Sequence, residues 1–121
     1  MSIKVLAVDD SRTMRDMLRI ALSDAGFDVT LAEDGVDGLD VLAGIAPQVI
    51  VTDINMPNMD GFGFIENVRK TKKDRATPIL VLTTECAEEL KMRAKNAGAT
   101  GWIVKPFDKD KLISAIKRVA A

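Results

Sequence analysis

Five short apolar runs alternate with five longer stretches of helical periodicity, and this strict alternation constrains the fold more than any single residue does. The runs are Ile3 to Val8, Phe27 to Ala32, Val49 to Thr52, Ile79 to Leu82 and Trp102 to Val104. Each is too short for a buried helix, and punctuation such as Pro47 and the loop from Asn55 to Gly61 bounds them. Between them, Met14, Met17, Leu18, Ala21, Leu22 and Ala25 form one helical stripe, capped by Ser11 and stopped by Gly26. After the turn Glu33-Asp34-Gly35, Val36, Leu39, Leu42 and Ile45 mark a second helix. A third starts near Phe62, turns Ile65 and Val68 inward and frays into Lys70 to Asp74. The fourth, Glu85 to Ala97, has a thin stripe of Ala87, Leu90, Ala94 and Ala97, and Gly98 caps it. The last begins at Asp108 and turns Leu112, Ile113, Ile116 and Val119 inward. Such alternation with short connections predicts parallel strands, right-handed crossovers and helices on both faces of the sheet, a doubly wound α/β fold. With 121 residues the chain reads as one domain, without repeat, linker or low-complexity stretch.

Polar residues fall at four of the five strand ends: Asp9-Asp10, Asp53, Thr83 and Lys105. In a parallel sheet the carboxyl ends share one edge, where open α/β sheets place their ligands. Each residue alone has an ordinary explanation. Asp9-Asp10 could cap a helix, Thr83 could close a turn, and Lys105 before Pro106 could be a solvated turn lysine. Asp53 is harder to dismiss, because a carboxylate closing a buried strand costs desolvation unless something pairs with it. Their joint occurrence at strand ends favours a site.

Composition narrows the chemistry. There is no histidine, which excludes Ser-His-Asp and Cys-His catalysis, His-ligated zinc and a phosphohistidine role for this chain. Cys86 is the one cysteine, so no intrachain disulfide forms and a reducing, cytoplasmic home fits. The formal net charge of -1 supplies no basic footprint for nucleic acid or anionic membrane, and no apolar run is long enough to span a bilayer. Any metal must accept hard oxygen ligands. Two carboxylates about 4 Å apart at an effective dielectric near 20 repel by roughly 4 kcal/mol. One lysine offsets only part of that among three acids, so either the acids hold protons or a divalent cation sits among them.

The segments Val-Asp-Asp-Ser-Arg, Thr-Asp-Ile-Asn-Met-Pro-Asn-Met-Asp-Gly, Leu-Thr-Thr-Glu and Gly-Ala-Thr-Gly-Trp-Ile-Val-Lys-Pro-Phe stand in order at these strand ends. As a set they resemble a response-regulator receiver domain across essentially the whole chain, 1-121, and more narrowly the single-domain chemotaxis response regulators. The resemblance implies a flavodoxin-like five-stranded sheet in the order 2-1-3-4-5. It implies Asp53 as acceptor of a phosphoryl group from a sensor histidine kinase. Magnesium, with manganese as the alternative, would be held by Asp9, Asp10, Asp53 and the Asn55 backbone carbonyl, Asp10 being a direct ligand. Thr83 would hydrogen-bond a phosphoryl oxygen, Lys105 would neutralise it, and the Lys105-Pro106 bond would be cis. The family's switch aromatic is here Trp102 rather than tyrosine or phenylalanine.

Thr83 and Lys105 flank the acceptor and the alanine-rich stripe of the fourth helix buries little area, so output is expected through the fourth helix, fifth strand and fifth helix, with Lys91, Lys95 and Trp102 as candidate partner contacts. The chain stops directly after its last helix, so no separate output domain is expected, and the protein would act as a monomer. The partner would be a flagellar motor switch protein in bacterial chemotaxis, with a phosphatase as a further partner. Alternatively the chain is a phosphate sink or relay intermediate. An enzyme of the haloacid-dehalogenase type is a rival, but it needs an acid two residues after the nucleophile, where this chain has Asn55. A flavodoxin-like cofactor binder is disfavoured, because Asp9-Asp10 stands where a Gly-rich phosphate loop would follow the first strand.

Overall fold

In the computed structural model, described over residues 2–121, five strands and five helices alternate without exception. They are β1 Lys4–Val8, α1 Arg12–Asp24, β2 Asp28–Ala32, α2 Gly35–Gly44, β3 Val49–Thr52, α3 Gly61–Lys70, β4 Ile79–Thr83, α4 Glu88–Ala97, β5 Gly101–Val104 and α5 Lys109–Ala120. The strands are parallel and ordered β2-β1-β3-β4-β5, the doubly wound, flavodoxin-like arrangement. This is the order the resemblance implied.

Successive strand residues point to opposite faces, so the sheet separates two cores. Leu6, Val8, Ile50, Ile79 and Val81 meet Phe64, Ile65 and Val68 of α3 and Ala94 of α4. Val5, Ala7, Val49, Val51, Leu80 and Leu82 meet Leu18 and Leu22 of α1 and Leu112 and Ile116 of α5. Strands covered on both faces need apolar residues at every position, which is why β3 and β4 read as continuous runs rather than alternations. Full burial of each large aliphatic or aromatic side chain contributes about 1.5–3 kcal/mol.

Four helices begin at a side-chain cap: Ser11, Asp34, Asp60 and Asp108 accept from the backbone N–H of Met14, Asp37, Gly63 and Lys111. α4 has no such cap, its preceding residue being Ala87. It begins at Glu88, three residues later than its apolar stripe suggested. The N–H of Glu85 instead turns back to the Thr83 hydroxyl at 3.3 Å, which keeps residues 84–87 out of the helix.

Two stripe residues prove exposed. Met17 is 48% accessible because Leu18, Ala21 and Leu22 already fill the seat of α1 on the sheet. Val36 is 43% accessible because α2 approaches through its glycines. A Cβ on Gly38 would lie 2.8 Å from the Phe64 ring, so close packing of that face turns Val36 outward. Other boundaries shift by one residue, with Ile3 and Phe27 just outside β1 and β2.

Candidate functional site

The ladder of the sheet continues one residue past the strand ends and thereby places the polar side chains. Asp9 N donates to Ala32 O at 3.0 Å, Asp53 N to Val8 O at 3.0 Å and Lys105 N to Thr83 O at 2.8 Å. Gly61 lies so close to this edge that a Cβ would overlap the Asp53 carbonyl. The Lys105-Pro106 bond is cis.

From β5, Lys105 reaches across the edge to both acids. Its Nζ donates to Asp9 Oδ2 and to Asp53 Oδ2, each at 2.8 Å. The three side chains are nearly enclosed, with 10%, 2% and 11% of Lys105, Asp9 and Asp53 accessible. The remaining oxygens are held from the backbone: Ser11 N donates to Asp9 Oδ1 at 2.9 Å and Ile54 N to Asp53 Oδ1 at 2.6 Å. Asp10 is exposed, yet one of its carboxylate oxygens lies with one each from Asp9 and Asp53 in a group whose members are all within 4.8 Å of one another.

Burial pushes the Asp9 carboxyl above the ordinary range, and the Lys105 and Ser11 hydrogen bonds only partly oppose it. Burial presses the Lys105 ammonium downward, but hydrogen bonds to Asp53 and Asp9 outweigh it and leave the group above its usual range. The lysine therefore stays charged between two carboxylates. A third acid beside that trio leaves a net negative pocket of hard oxygen donors without sulfur or imidazole, a donor set that suits magnesium.

Two supporting contacts leave no trace in sequence pattern. Arg15 of α1 donates from Nη1 to Asp9 O at 2.7 Å, which pins the β1–α1 turn. Asn58, at φ 66 in the loop after β3, donates from Nδ2 to Asp34 Oδ2 at 2.8 Å and ties that loop to the start of α2. The Asp37 amide and then Asn58 hold the Asp34 carboxyl below the ordinary range.

A second group leads from the site toward α4 and β5. Thr83 is fully buried, and its hydroxyl accepts from Glu85 N. Asn55 Nδ2 donates to Glu85 Oε1 at 3.1 Å, while Trp102 Nε1 donates to Glu85 O at 3.0 Å. Because α4 starts late, the Glu85 carbonyl is free of the helix and can accept the indole. Trp102, Lys91 and Lys95 line one cleft of about 320 Å³ between α4 and β5, and Lys91 also approaches Glu88 at 3.6 Å.

The sequence profile of the response regulator receiver domain matches residues 5–117. The chain belongs to this family. The receiver domain is 38% identical to response regulator MprA of Mycobacterium bovis and Mycobacterium tuberculosis over 117 residues, 97% of its own length and 50% of theirs. It thus spans about half the length of the curated relatives it matches. Among solved structures, the chemotaxis protein CheY4 of Vibrio cholerae aligns with a TM-score of 0.93 at 45% identity, covering 98% of the receiver domain and 99% of CheY4. The receiver domain of the Pseudomonas aeruginosa sensor histidine kinase PA1611, solved with magnesium coordinated in its active site cleft, shares the fold at a TM-score of 0.90 and 23% identity, covering 99% and 98% of the two chains. Receiver domains are the phosphate-receiving signalling domains of two-component systems. No helix among the described residues is long and apolar enough to cross a membrane.

Proposed function

We propose that Asp53 is the phosphoryl acceptor of this receiver domain, with Asp9, Asp10, Asp53 and the Asn55 carbonyl as the magnesium ligands. The observation that carries this reading is the Lys105 ammonium bridging Asp53 and Asp9 at 2.8 Å beside the exposed Asp10. An Asp53 oxygen attacks the phosphorus of a kinase phosphohistidine, the N–P bond breaks, and its electron pair leaves on the imidazole. Magnesium, when bound, offsets the carboxylates and the charge on the phosphoryl oxygens. Lys105 already contacts the acceptor and neutralises the oxygen it meets, while the Ile54 N–H orients the other carboxylate oxygen. Thr83, buried at the neighbouring strand end, is the hydroxyl that bonds a phosphoryl oxygen. Asn55 and Glu85, hydrogen-bonded to each other, border the approach of the water that later removes the group.

Output runs through α4, β5 and α5, with Trp102 as switch and Lys91 and Lys95 as partner contacts. The link through Glu85 to the indole supports this assignment. The finer reading, a chemotaxis response regulator acting on a flagellar motor switch protein, is supported by the 45% identity to CheY4 over nearly all of both chains. Incubation with a small acyl phosphate and magnesium tests the acceptor: intact mass should show one added phosphoryl group, labile to hydroxylamine. Equal modification of Asp53→Ala would remove the proposal. Capture of the phosphorylated form by a motor switch protein, and not of the unphosphorylated form, tests the chemotaxis assignment; phosphorylation without such capture leaves a phosphate sink as the reading.

A further inference from the structure

The end of the sheet opposite Asp53 carries a dense run of positive charge. Arg69 and Lys70 close α3, and Lys72, Lys73 and Arg75 follow in the connection to β4. Cations in the last turn of a helix complement its dipole, which accounts for Arg69 and Lys70. Lys72, Lys73 and Arg75 lie beyond the helix and need another explanation.

The connection is firmly built. Thr71 N and Lys72 N donate to Asn67 O at 2.9 Å, and Asp74 N donates to Val68 O at 3.0 Å. Arg69 donates from Nη1 to Asp74 O at 3.0 Å and from Nη2 to Gly98 O at 2.9 Å, which joins the connection to the end of α4. The turn sets Lys73 at φ 56, a left-handed position that favours glycine or asparagine. A lysine there opposes the local backbone preference, and such breaches collect at functional positions. Asp74, the one acid in the run, faces inward, accepting from Thr77 Oγ1 at 2.6 Å and from the N–H of Thr77 and Ala76 at 3.0 Å. Lys70, Lys72, Lys73 and Arg75 are exposed, and among the described residues none of them forms an ion pair. Arg69, Lys70 and Arg75 line an open cleft of about 520 Å³ with Asn96, Gly98 and Thr100.

We infer that this face docks an acidic segment of a partner protein, independently of phosphorylation. Charge complementarity selects the occupant: Lys70 and Arg75 line the open cleft beside Arg69, and the unpaired Lys72 and Lys73 stand between them in the chain, in a protein whose net charge is -1. Nucleic acid fits less well, because its phosphates ask for a basic surface that the rest of this molecule does not provide. Docking at the far edge leaves Asp53 open, so a partner held there would meet the acceptor at raised effective concentration.

Fluorescence anisotropy with a labelled ten-residue oligoglutamate peptide at low ionic strength tests the inference, with 15N NMR locating the contact. The peptide should perturb amides of residues 69–75 and 96–100, and Lys72→Glu/Lys73→Glu should weaken it at least tenfold. The control Lys109→Glu/Lys111→Glu on α5 should bind as wild type does, and so should Asp53→Ala. That last arm separates failure here from failure of the acceptor assignment. Both double variants alter exposed side chains, and circular dichroism confirms that they fold. No perturbation at 69–75, or an undiminished affinity in the first double variant, overturns the proposal. Equal affinity for a labelled oligothymidylate would make the face a generic polyanion binder and also overturn it. So would self-association of the wild type that the first double variant abolishes, since the occupant would then be a second copy.

Discussion

Lys105 holds the electrostatics of the site together, because its single ammonium is hydrogen-bonded to two buried carboxylates. Breaking a buried ion pair by removing one partner costs about 3–5 kcal/mol, so Lys105→Met should lose stability on that order in metal-free urea unfolding at pH 7. The pH dependence has a definite sign. An acid whose folded pKa is raised, as that of Asp9 is, stabilises the fold below its unfolded pKa and loses that contribution as pH rises through the folded value. Without Lys105 to oppose it, the rise must grow, so the deficit of Lys105→Met should shrink as pH falls from 7 toward the ordinary carboxylate range. A deficit under about 1 kcal/mol at pH 7 would mean the bridge is not a buried pair. Asp10→Asn should behave oppositely. It removes the third acid from a cluster of oxygens within 4.8 Å, so it should stabilise the metal-free fold and abolish the stabilisation that magnesium gives the wild type. Paired thermal melts with and without magnesium check both halves. The residues of this cluster were legible because strand ends of a parallel sheet must meet at one edge. Arg15 and Asn58 were not, since a side chain reaching one backbone carbonyl or one cap leaves no periodicity to read.

Among the elements, α4 is the least anchored. Only Ala94 of its residues is buried, and no side chain caps its start. Providing a cap by Ala87→Ser should stabilise the protein by about 1 kcal/mol and slow amide exchange in α4. No gain would mean that α4 is held from its other end, where Gly98 and Arg69 meet. α2 gives a contrast, because its cap Asp34 also receives Asn58 from the loop after β3. A depressed carboxyl stabilises the fold above its unfolded pKa and loses that contribution as pH falls through the folded value. The stability gap between wild type and Asp34→Ala should therefore be of order 1 kcal/mol at pH 7 and should close below about pH 4. Denaturant melts at pH 7 and pH 3 compare the two. The late start of α4 was hidden in sequence because Ala87, Leu90, Ala94 and Ala97 keep helical spacing whether or not the backbone before Glu88 is coiled. Met17 and Val36 were misplaced for a related reason: periodicity marks a face but not how much of it the sheet covers.

For the whole molecule, strict alternation was enough to predict a two-faced parallel sheet, and the strand order came from the resemblance alone. Topology then makes the proposed acceptor edge and the proposed output surface neighbours. Thr83 closes β4, Trp102 lies on β5, and Glu85 touches both through its amide and its carbonyl. On the proposed assignment, a phosphoryl group on Asp53, carrying about -1.5 to -2 charge, would draw the Thr83 hydroxyl toward it. The Glu85 amide would then lose its acceptor, and the loop that holds the indole would shift. Little apolar area resists movement of α4. In this proposal phosphorylation biases a two-state equilibrium of the loop and α4. Trp102 is the sole tryptophan, so its emission reads the event directly. The decisive measurement is that emission during phosphorylation by a small acyl phosphate with magnesium, in wild type, Asp53→Ala and Thr83→Ala, with phosphoryl incorporation followed by intact mass. Wild type should change emission as it gains the group, Asp53→Ala should do neither, and Thr83→Ala should gain the group with its emission unchanged; an equal emission change in Thr83→Ala and wild type would contradict coupling through the Thr83 hydroxyl.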